Sequence, residues 1–101
     1  MAETLQVTPA EMIRWALAHE RAADACASAR AEHPSTIEAA QSWGPLFHEA
    51  RRATVEAVNA RERALLAQEE RHRAMAQELR TGAARMEQMN AENQANLTIS
   101  E

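Results

Sequence analysis

Four histidines (His19, His33, His48 and His72) and one cysteine, Cys26, are the side chains with the widest chemical range in this sequence. Their spacing gives them little to do. A catalytic zinc helix places two histidines on one face with a glutamate beside the first, and a structural zinc site draws on cysteine pairs; neither pattern occurs. Glu69 and His72 share a helix face, in a stretch so dense in charge that coincidence accounts for the pairing. There is no Gly-x-Ser-x-Gly elbow, and a chain with 2 glycines builds no phosphate-cradling loop. A lone cysteine closes no intrachain disulfide; it reads as a small apolar helix residue, with a dimer-forming or redox thiol as the alternative. Asn96-Leu97-Thr98 matches a glycosylation sequon, a three-residue pattern with no signal peptide behind it. The sequence therefore assigns no catalytic residue, no cofactor and no metal, and leaves binding as the function class.

The bulk properties agree. The chain has 101 residues, one small domain with a thin core. Its net charge is −4, and all 11 basic residues are arginines, interspersed with glutamates as on a solvated helix. A phosphate-neutralising protein shows a basic stripe instead, so nucleic acid is not the expected partner. No apolar run approaches the ~20 residues of a membrane span. The N-terminus, Met1-Ala2-Glu3-Thr4, lacks the basic and apolar regions of a secretory signal peptide, so any export would use another route. Abundant alanine and arginine without lysine suggest a high-GC bacterial genome.

The few Gly and Pro residues mark the elements. Thr8-Pro9-Ala10-Glu11 is a helix start: Thr8 can cap, Pro9 suits the first helical position and Glu11 can complete a capping box. A first helix is expected over about 9–31. His33-Pro34-Ser35 interrupts it, and Ser35 could cap a short helical turn to about 41. Trp43-Gly44-Pro45 breaks the chain again, closing an inter-helix turn over about 32–44. Pro45 opens a second helix to about 93, with a bend at Thr81-Gly82 and a flexible tail over 94–101. Trp43 and Phe47 are expected to anchor the turn, with a recognition patch on Trp43 as the functional alternative.

Alanines then suggest how the helices meet. Trp15, Ala18, Ala22, Ala25 and Ala29 recur at alternating intervals of three and four, as do Leu46, Ala50, Ala53, Ala57, Ala60, Ala64 and Ala67. Two such methyl seams would let the backbones approach toward the short end of the usual ~8–10 Å separation. A first helix of about 23 residues is roughly 35 Å long and a second of about 50 residues roughly 75 Å. The first therefore covers the second only to about residue 67 or 68. Beyond it lies a stripe of larger apolar residues, Met75, Leu79, Met86 and Met89, with no intrachain partner. The stripe is expected to meet another chain, a second copy or a different protein, and methionine suits an adaptable interface. A solvated, frayed helix end is the bland alternative.

One region goes further. Leu5-x-Val7-x-Pro9-x-x-Met12, followed by Ala16, His19 and Ala22-Ala23, resembles the opening of the EspC-like family of ESX (type VII) secretion-associated proteins. Trp43-Gly44-Pro45 falls where that family and the wider WXG-type secreted hairpins place their turn, although Trp and Gly are adjacent here rather than separated by one residue. Many type VII substrates carry Tyr-x-x-x-Asp/Glu after the second helix. Met86 stands in place of that tyrosine and Asn90 in place of the acid, so a partner could be the one to supply the export signal.

The expected architecture is all-α: an antiparallel two-helix hairpin with a long second helix, WXG-like. The resemblance implies a secreted substrate or co-secreted partner that binds by helix–helix contact. It would be cytoplasmic before export and then secreted or in the cell envelope. Its partners would be the type VII apparatus and a homodimeric or heterodimeric ESX-type protein, with no nucleic acid and no membrane span. A cytosolic helical adaptor that keeps the family fold without export is the alternative.

Overall fold

The computed structural model describes residues 7–100; Leu5, which contributes to the family resemblance, lies outside them. The element order is α1 (Pro9–Arg30), α2 (His33–Gln41), a 3-10 turn (Pro45–Phe47) and α3 (His48–Ser100). No strand occurs among the described residues, and the fold is an all-α helical hairpin.

Local chemistry sets the ends of these elements. The Glu11 N–H donates to Thr8 Oγ1 at 3.1 Å, and the Met12 N–H to the Thr8 carbonyl at 3.1 Å, so Thr8 caps α1 while Pro9 occupies a position whose N–H needs no partner. The break after Arg30 is smaller than a proline there suggests. Only Ala31 and Glu32 leave the helix, and α2 already begins at His33 with Pro34 in its first turn, where proline is tolerated. Ser35 does not cap: its hydroxyl donates to the Glu32 carbonyl at 3.0 Å, as that of Thr36 does at 3.2 Å. The reversal therefore lies at 42–47, not across 32–44. Ser42 closes α2, its hydroxyl donating to the Ala39 carbonyl at 2.6 Å. α3 then runs unbroken through Thr81 and Gly82 and on to Ser100, past the expected end near 93.

The chain divides into two compact units, 1–20 with 73–101, and 21–72. In the second, the inward positions of α1 and α2 are Ala23, Cys26, Arg30, His33, Ile37 and Ala40; those of α3 are Val55, Val58, Glu62, Leu65, Glu69 and His72. In the first, they are Met12, Ala16 and His19 on α1 and Ala76, Leu79, Ala83 and Met86 on α3. Within each list the intervals alternate between three and four, the 3.5-residue period of helices packed side by side. Ala16, Ala23, Ala40, Ala76 and Ala83 are buried together with Val58, and among the described residues no large side chain is fully so.

Two expectations are corrected here. The packed face is not the alanine seam. Ala50, Ala53, Ala57, Ala60 and Ala64 on α3 are exposed, as are Trp15, Ala18 and Ala25 on α1. The seam in use lies about one residue, roughly 100°, around each helix. It carries the larger aliphatics Val58, Leu65 and Leu79, which bury more area than another row of methyls would. Nor is α3 without an intrachain partner beyond residue 68. α2 belongs with the start of α3 in the unit of residues 21–72, and the first half of α1 belongs with α3 from Arg73 onward in the other. Ala76 and Ala83 are buried as a result, and Leu79 and Met86 are half-buried.

Gly82 shows how close this approach is. A Cβ built on it would stand 2.6 Å from the Met12 Cε. Its φ is not positive, so the glycine here provides room for the methionine and not an unusual backbone.

Candidate protein-binding surface

Three features could carry function: a polar clasp inside the unit of residues 21–72, the tip of the hairpin, and the far end of α3.

The clasp centres on His33, which is buried. Arg61 Nη1 lies 2.8 Å from His33 Nε2, and His33 Nδ1 lies 2.9 Å from Glu62 Oε1. A guanidinium only donates, so Nε2 must accept; Nδ1 then holds the proton and donates to Glu62, which makes the imidazole the neutral tautomer. Arg30 bridges two carboxylates of α3, with Nε 2.7 Å from Glu62 Oε2 and Nη1 2.8 Å from Glu69 Oε1. Arg30 and, after it, His33 hold the Glu62 carboxyl below its ordinary range, while Glu62 and then Glu69 push Arg30 up. In the other unit Arg80 grips Glu20 with both oxygens engaged, at 3.0 and 2.7 Å. That contact lowers Glu20 and raises Arg80. Every one of these side chains has its partner inside its own unit, so the clasp fixes pairing and register rather than offering open valences to a substrate. Among the described residues no group of histidine, cysteine, aspartate and glutamate could hold a metal ion. Cys26 Sγ faces Gln68 Oε1 at 3.9 Å.

The tip is open. All positions over 41–50 are exposed, Trp43 by 40%, Leu46 by 89% and Phe47 by 55%. Trp43 and Phe47 therefore do not anchor the turn against the helices; with Ala50 they line a shallow apolar recess on its surface. Gly44 is extended (φ −72°, ψ 174°) and a Cβ on it would meet nothing within 4 Å, so this turn has no steric need of glycine. Pro45 opens the 3-10 turn, closed by the Phe47 N–H donating to the Gly44 carbonyl at 3.0 Å.

In the other unit, residues 87–98 of α3 are helical and exposed throughout. Met89 (60%) and Leu97 (69%) are the apolar side chains laid bare there. Met75 is exposed as well, whereas Leu79 and Met86 are shared with the hairpin's own packing. Asn90 is exposed one turn beyond Met86, inside α3.

Compared with known proteins, the sequence matches over residues 1–98 the family described as "Excreted virulence factor EspC, type VII ESX diderm". The chain belongs to the EspC family. Uncharacterized proteins of Mycobacterium bovis and Mycobacterium tuberculosis are among its relatives, 33% identical over 88 residues, which is 87% of this chain and 84% of theirs. No solved structure matches. Membership of the EspC family makes this a type VII secretion-associated protein, from a family described by excretion and virulence and not by an enzyme class. Among the described residues no helix is long and apolar enough to cross a membrane.

Sequence reasoning named Trp43, Met75 and Met89, which are exposed, and did not see the clasp. The available signal was the placement of Arg30 and His33 on one 3.5-residue stripe and of Glu62 and Glu69 on another.

Proposed function

We propose that this EspC-family protein is a type VII secretion substrate, or travels with one, and acts by offering its distal α3 surface to another helical protein. The observation that carries this is the bare end of α3, residues 87–98, with Met89 and Leu97 uncovered while the stretch before it is packed. Met75 and Met89 are the residues of the expected interface that stay accessible. Leu79 and Met86 contribute only at the edge of the hairpin's own packing. Thioether side chains at such a place adapt to the shape of a partner helix, at the cost of their rotamer freedom. The apparatus and one ESX-type helical protein, a second copy or a different chain, are the proposed partners, with the protein cytoplasmic until exported.

Met89→Glu and Leu97→Glu test the surface. Both should leave helicity and unfolding midpoint unchanged and abolish association, read as solution mass by light scattering with and without the co-expressed partner. Unaltered association would remove the distal end of α3 from the interface. The alternative, a cytosolic adaptor with the family fold, is favoured by Met86 and Asn90 standing where type VII substrates carry a tyrosine and an acid.

A further inference from the structure

We infer that the tip of the hairpin, residues 43–47, is a lipid-interface probe that inserts its apolar side chains into an anionic membrane surface. The apolar side chains there are exposed. Among the described residues Leu46 is the most exposed large apolar side chain, and Trp43 and Phe47 flank it within the same turn. Side chains this exposed can enter a fluid layer, which needs no complementary groove on a partner. Tryptophan and phenylalanine beside a leucine match the chemistry of the headgroup boundary, where an aromatic ring meets both hydrocarbon and water.

Part of the tip's backbone is already hydrogen-bonded. Unpaired peptide groups make shallow insertion costly. The Ser42 N–H already donates to the Glu38 and Ala39 carbonyls, that of Trp43 to Ala40 and that of Phe47 to Gly44, and Pro45 has no N–H to satisfy.

Charge selects the surface. The chain carries −4 overall, but behind the apolar apex stand Arg51 and Arg52, with His48 and with Glu49 as the one acid among them. Arg51 Nη2 contacts His48 Nδ1 at 3.1 Å, and Arg52, largely exposed, is held only loosely by Glu56 at 3.8 Å. On α2 the nearest acid is Glu38, on the far side of Gln41 and Ser42. Arg51 and Arg52 follow Phe47 by four and five residues, roughly 6–8 Å along the helix. That spacing puts the guanidinium groups at the headgroups when the rings reach an interfacial depth of ~5–10 Å. The contact would be peripheral and reversible, with no spanning helix.

Of the 2 tryptophans, replacing Trp15 by phenylalanine leaves Trp43 as the sole reporter. The full-length Trp15→Phe protein is titrated with vesicles of phosphatidylcholine alone and of phosphatidylcholine with phosphatidylglycerol. The emission should shift to the blue with the anionic vesicles and much less with the neutral ones. Leu46→Glu in the same background should remove the shift at unchanged helicity. Arg52→Gln should weaken anionic partitioning roughly fivefold, since each basic residue near a charged surface contributes that order of attraction. An emission that no vesicle alters overturns the inference. So does a shift that survives Leu46→Glu, because the binding would then lie elsewhere. If vesicles have no effect and Leu46→Glu instead dissolves a protein oligomer, the tip is a protein contact and the lipid reading fails.

Discussion

Replacing Ala23 by leucine separates the two faces by which these helices could meet. Ala23 is fully buried on α1, and the core around it contains no large, fully buried side chain that could be displaced to make room. Leucine adds three carbons where backbones are separated by methyl groups. Overpacking of this kind costs about 1–3 kcal/mol. The intrinsic helix preferences of alanine and leucine differ by only a few tenths of a kcal/mol, so the backbone contributes little to the difference. Ala57, on the exposed alanine stripe of α3, is the matched control; its conversion to leucine should stay within about 0.5 kcal/mol of wild type. Urea unfolding followed by far-UV circular dichroism reads both, and at roughly 4–8 °C per kcal/mol for a chain of this size thermal melts would separate them as clearly. Equal destabilisation by Ala57→Leu, or a neutral Ala23→Leu, would return the alanine stripe to the interface and refute the packing described above.

Other perturbations give distinct outcomes. Gly82→Ala gains about 1 kcal/mol of helix propensity against the displacement of the Met12 terminus, which is flexible, so the net effect should be neutral to mildly stabilising in a thermal melt; a clear loss would mean that Met12 cannot move. Gly44→Ala should be silent in both helicity and midpoint, since its backbone is extended and its surroundings are empty. Glu20 and Glu62 are both held below the ordinary carboxyl value of 4.5, so the unfolded chain takes up their protons first. Their contribution is complete above that value and disappears as pH falls through the lower folded values. Acid unfolding should therefore set in below about 4.5, and the double variant Glu20→Gln, Glu62→Gln should be less stable near neutrality and flatter against pH; an unchanged acid profile would contradict this.

The helical hairpin was legible because glycine and proline are confined to a few positions and Thr8-Pro9 is an unmistakable helix start. The packed face was not. Arg30, His33, Glu62 and Glu69 occupy seam positions and pair there, which erases the apolar period that would reveal the stripe. The alanines one residue away then supply a cleaner but false one. Leu79 and Met86 were assigned no partner because the first helix was laid against α3 directly from the turn, a place that α2 takes. Proline at 34 was misleading for a different reason: at the start of a helix it removes an N–H that has no helical acceptor, so it shortened the break between α1 and α2 to two residues instead of forming a long turn. Trp43 was visible as a residue of interest, but an aromatic side chain at a turn does not reveal whether it faces inward.

The central claim is a role in type VII secretion, and the most direct measurement is where the protein resides. Cell pellet and culture filtrate from the native organism would be probed by immunoblot in isogenic strains with and without a functional ESX ATPase, with a cytosolic marker to report lysis. The account predicts protein in the filtrate or envelope fraction only when the apparatus is intact. Protein confined to the cytoplasm of both strains would contradict it and favour the adaptor reading.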